Sequence, residues 1–122
     1  MLTIDELLAP QPAPCPPPMD ALPITDVAMH LAQALPQGSV QQQLVLARRQ
    51  QGIDRYGTAL CTHNGRDTRA DAGQEALDLA IYLHQLAYEL RGKITPTQME
   101  GLTIVSASML DVVTGLMELP KP

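Results

Sequence analysis

RADAGQEALDLAIYLHQLAYELR, residues 69–91, decides the fold class. At about 100° per residue, Asp71, Glu75, Asp78, Tyr82, Gln85 and Glu89 fall on one narrow face. Almost every other position is apolar: Leu77, Leu79, Ala80, Ile81, Leu83, Leu86, Ala87 and Leu90. That pattern predicts a long helix buried over most of its circumference, with one polar stripe. Thr68 and Asp71 are spaced as a capping box at its start, and Gly92 is placed to end it.

Working outward toward the C-terminus, Thr95, Pro96 and Gln98 carry the start signals of another helix, which Pro120 stops. Its apolar positions Leu102, Val105, Met109, Val112 and Leu116 alternate three and four apart, as in a bundle seam. Toward the N-terminus, residues 57–70, GTALCTHNGRDTRA, read as a polar loop around the turn dipeptide Asn64-Gly65. A helix from Ser39 as N-cap to Tyr56, stopped by Gly57 and loosened near Gly52, should precede it. A shorter helix is expected from Thr25 to Leu35, ended by Pro36. Residues 9–18, APQPAPCPPP, cannot be helical and should run as an extended arm. No segment sustains a period of two, so no sheet is expected. The expectation is an all-α four-helix bundle: residues 1–20 a Pro-rich arm, residues 21–122 one helical domain.

The bulk composition agrees. A chain of 122 residues suits one domain. With neither Phe nor Trp, its core must use Leu, Ile, Val, Met and Ala, which favours helix. The formal net charge of −5 argues against a nucleic-acid binder, which normally shows a basic footprint. Cys15 and Cys61 match no zinc spacing and read as reduced thiols. No uninterrupted apolar run reaches the ~18 residues of a membrane span. The opening MLTIDELLAP has acids and no basic n-region, so no secretory leader and a cytoplasmic location are expected.

Carboxylates at i, i+4 and i+7, here Asp71, Glu75 and Asp78, stack their oxygens over successive turns. Mg²⁺ accepts such ligands, with waters and substrate phosphates completing its shell. The plain alternative is a solvated face, which any helix in a small protein needs. Crowded like charges with no lysine at i+4 favour a cation, since each such pair costs a few tenths of a kcal/mol. The preceding loop supplies anion donors: His63, Asn64, Arg66 and the backbone around Gly65. Arg48, Arg49 and Arg55 near the end of the 40–56 helix would contact phosphates or simply favour a helix C-terminus. Asp67 should stabilise the loop turn. Tyr82, one turn past Asp78, would stack on a base or pack at an interface. His30 and His84 read as packing residues, and nothing marks Cys61 as a nucleophile.

Residues 47–86 carry three linked elements: Arg55-Tyr56-Gly57, Asn64-Gly65-Arg66-Asp67, and Asp71 through Leu79 as D-x-x-x-E-A-L-D-L. In this the chain resembles small phage and prophage proteins of the MazG-like kind. The resemblance implies an all-α nucleoside-triphosphate pyrophosphohydrolase fold, homo-oligomeric as a dimer or tetramer, using Mg²⁺ or Mn²⁺ to cleave between α- and β-phosphates. It implies Glu75 and Asp78 as metal ligands, matching an ExxD, with Asp71 a further ligand or water-positioning base. Arg66 would clamp phosphate, with His63, Asn64, Arg55 and Tyr82 completing the nucleotide site. The family's ExxE is absent: the preceding helix offers Gln41, Gln42, Gln43 and the single acid Asp54. A second expectation therefore stands beside catalysis, a nucleotide-sequestering phage protein on the same fold, acting in the host cytoplasm against nucleotide signalling. A third is a protein-interaction module built on the Pro-rich arm and the C-terminal helix seam.

Overall fold

The structure is a computed structural model and describes residues 1–14 and 25–122. The later part of the expected Pro-rich arm, with Cys15, lies outside the described residues. Among the described residues there are five helices and no strand beyond one isolated antiparallel bridge, Asp26 to Cys61. They are α1 (Ile4–Leu8), α2 (Val27–Gln33), α3 (Val40–Tyr56), α4 (Thr68–Glu89) and α5 (Pro96–Glu118). The all-α expectation holds. The chain forms two compact units, one from Met1–Gln11 with Asp67–Pro122, the other from Pro12–Arg66.

In the first unit α4 and α5 form a helical hairpin closed by α1. Ala76 and Ala80 are buried on α4, and small residues there let α5 approach closely. Ser106 Oγ reaches across to donate to the carbonyl of Ala80 at 2.9 Å. The α5 face turned to the core carries Met109, Val113 and Met117. Of the expected seam, Leu102, Met109 and Leu116 are half-buried, whereas Val105 and Val112 stay 44% and 43% exposed. A serine can face a neighbouring helix once its hydroxyl finds a carbonyl, and hydropathy alone does not reveal that. By length and composition α5 is also long and apolar enough to cross a membrane. Glu100, Thr103, Ser106, Ser108, Asp111 and Thr114 break up its apolar positions, so no stretch of it is apolar throughout.

Helix α1 was not expected. Thr3 and Glu6 build a complete capping box: Glu6 N donates to Thr3 Oγ1 at 3.1 Å and Thr3 N to Glu6 Oε2 at 2.8 Å. Five residues cannot hold a helix alone, so its packing decides. Leu2 and Leu7 are buried and join Ala70, Ala76 and Val113 in the core cluster. Leu2 N donates to the Met117 carbonyl at 2.7 Å, and Gln74 Nε2 donates to the Leu7 carbonyl at 2.7 Å. Gly73 is what admits Leu7: a Cβ there would lie 2.5 Å from Leu7 Cδ1.

In the second unit α2 packs on α3. Helix α3 begins and ends as its sequence signals: Ser39 Oγ accepts from Gln42 N at 3.2 Å, and Gly57 closes it with φ +79°. Helix α2 starts one residue later than expected. Asp26, not Thr25, is the N-cap, accepting from Met29 N at 3.2 Å. Thr25 is instead engaged with the loop, its N–H donating to Thr62 Oγ1 and its carbonyl accepting from Thr62 N, both at 3.0 Å.

Candidate functional site

The carboxylates of α4 begin at its N-cap, which is Asp67 rather than Thr68. Asp67 Oδ1 accepts from Arg69 N at 3.0 Å. The same carboxylate takes two bonds from the Arg69 guanidinium, at 3.1 and 2.7 Å, and Arg69 Nη1 donates to the Leu119 carbonyl at 2.7 Å. Gln11 Oε1 accepts from Asp67 N at 3.0 Å. Arg69 therefore fastens the start of α4 to the end of α5. It is the one charged residue among the described residues that is buried. Hydrogen bonding from Arg69 holds the Asp67 carboxyl below its ordinary value. Sequence reasoning missed Arg69; an Arg two residues past an Asp at a helix start is the available signal.

Beyond the cap, the polar stripe separates into two behaviours. Asp71 is half-buried in the first turn, with Asp71 N donating to the Asp67 carbonyl at 3.1 Å. Glu75 and Asp78 are exposed one turn apart, and neither carboxylate is hydrogen-bonded or ion-paired among the described residues. With Ala76, Leu79 and Tyr82 they line one open hollow. Tyr82 is 64% exposed there, so its ring face is available for stacking. Further along, Gln85 Nε2 donates to Glu89 Oε1 at 2.8 Å, which ties up the end of the stripe. Among the described residues no three His, Cys, Asp or Glu side chains converge to hold a metal ion. What α4 offers a hard cation is a carboxylate pair, which fits Mg²⁺ when water and substrate oxygens supply the remaining positions.

The loop residues belong to the second unit. Its first half is tied to the start of α2 through the Asp26–Cys61 bridge and a 3.1 Å bond from Val27 N to the Leu60 carbonyl. The turn beyond it uses left-handed backbone at His63, φ +57°, and Gly65, φ +85°. His63 pays a steric cost there that glycine does not. Asn64 Oδ1 accepts from Arg66 N at 3.1 Å, an Asx turn that fixes this stretch. His63 is exposed, Asn64 and Arg66 are half-buried, and Arg66 Nη1 donates to the Pro12 carbonyl at 2.7 Å.

The arginines of α3 divide by partner. Arg49 grips Asp26 through bonds of 2.7, 3.0 and 3.3 Å, and that pairing holds the Asp26 carboxyl low and the guanidinium pKa high. That pairing ties the start of α2 to α3. Arg48 donates to Gln51 Oε1 at 3.0 Å, and Arg55 lies over its neighbour Tyr56, 5.2 Å from the ring centroid. The glutamines at the start of α3 also have structural work. Gln42 Nε2 donates to the Ala32 carbonyl at 2.9 Å and Gln43 Nε2 to the Gly38 carbonyl at 2.8 Å. Asp54, the one acid of α3, accepts from Gln50 Nε2 at 2.8 Å.

Compared with protein-family models, with curated proteins and with solved structures, the chain matches none.

Proposed function

We propose that this chain is a MazG-like nucleotide-handling protein, binding a nucleoside triphosphate together with Mg²⁺ or Mn²⁺ and hydrolysing it to a nucleoside monophosphate and pyrophosphate. The observation that carries the reading is the pair Glu75 and Asp78: exposed, unpaired among the described residues, and sharing a hollow with Tyr82. Glu75 and Asp78 hold the cation, which when bound neutralises phosphate charge. Asp71 orients the attacking water or adds an oxygen ligand. Tyr82 stacks on the base. Arg66, with His63, Asn64 and Arg55, supplies phosphate donors, a planar guanidinium being suited to paired phosphate oxygens. The proposed arrangement is a MazG-like four-helix bundle with the Pro-rich segment as an arm, acting as a homodimer or homotetramer in the cytoplasm, and phage-encoded. Light scattering that returns a monomer at micromolar concentration would remove the oligomeric part.

A specific observation supports a second reading, sequestration without turnover. The resembled enzymes draw half their metal ligands from the preceding helix, and here Gln42, Gln43 and Asp54 of α3 are engaged in local hydrogen bonds. A cation held by fewer anionic ligands binds more weakly without its substrate. One experiment separates the readings: a panel of ribo- and deoxyribonucleoside triphosphates with Mg²⁺ or Mn²⁺, followed by both pyrophosphate release and melting temperature. Release identifies the enzyme. A melting shift without release identifies the sequestering protein. Neither signal with any nucleotide refutes both.

A further inference from the structure

No further inference is drawn: the strongest candidate, the apolar groove between α2 and α3 lined by Val27, Leu31, Leu44, Val45 and Leu60 with Arg48 at its edge, is an unpartnered face, and nothing in the structure shows what covers it.

Discussion

Replacing Gly73 by alanine puts a methyl group where the Leu7 side chain already sits. The new Cβ would stand 2.5 Å from Leu7 Cδ1, well inside contact distance. Leu7 is only 4% exposed, so it has little room to retreat. Overfilling a packed site of this kind costs about 1–3 kcal/mol. Against that, alanine is favoured over glycine inside a helix by about 1 kcal/mol. The expected net effect is a loss of about 1 kcal/mol, limited by the ~1.5–3 kcal/mol that burying one leucine is worth. Gly101 in α5 provides the internal control. It lies in a helix interior, and a Cβ there meets nothing within 4 Å. Gly101→Ala should therefore stabilise by the full ~1 kcal/mol of helix preference. The two substitutions are chemically identical and should move stability in opposite directions, about 2 kcal/mol apart. In melting followed by far-ultraviolet circular dichroism, that separates the variants by roughly 5–15 °C. A double-mutant cycle isolates the cause: in a Leu7→Ala background, Gly73→Ala should turn from harmful to favourable. If Gly73→Ala stabilises as much as Gly101→Ala, α1 is not seated on α4 through Leu7, and the account of the first unit fails.

Asp78→Asn removes one of the two unpaired carboxylates, so it should abolish any rise in melting temperature given by Mg²⁺ or Mn²⁺; a shift equal to that of the unaltered protein would place the cation elsewhere. Arg66→Ala should weaken nucleotide binding at least several-fold in isothermal titration; unchanged affinity would remove Arg66 from the site. Asp67 has a folded pKa below its unfolded value, so its contribution is present above the unfolded pKa, about 4, and fades as pH falls through the lower folded value. Asp67→Asn should be less stable at neutral pH, and its urea midpoint should fall less than that of the unaltered protein as pH is lowered from about 5 to 2; parallel curves would show that the Arg69 pairing contributes nothing.

Helices α3 and α5 were legible because their signals are local. Ser39, Gly57, Thr95, Pro96 and Gln98 each act within four residues of where they stand, and each does what its residue type favours. The face shared by Glu75, Asp78 and Tyr82 was legible for a related reason, since helical period alone places them together. What escaped depends on partners distant in the chain. Helix α1 exists because Leu7 finds Gly73 and Gln74 more than sixty residues later. Arg49 finds its partner in Asp26, 23 residues before it, which no local pattern reveals. The true N-cap of α4 is Asp67, chosen over Thr68 by an arginine that also reaches Leu119. In the α5 seam Ser106 stands inward where Val105 was expected, because a serine looks solvent-seeking until the Ala80 carbonyl is placed opposite it.

The first unit is assembled from the two ends of the chain, Met1–Gln11 and Asp67–Pro122, while Pro12–Arg66 is continuous. During synthesis, Leu2 and Leu7 are made well before the groups they meet, Gly73 and the Met117 carbonyl. At about 5–20 residues per second, those leucines wait on the order of 5–20 s for their seats. Asp5 and Glu6 give this short apolar segment charge while it waits. Closing the first unit is thus a long-range step that must wait for α4 and α5 to be made, however early its first residues are available.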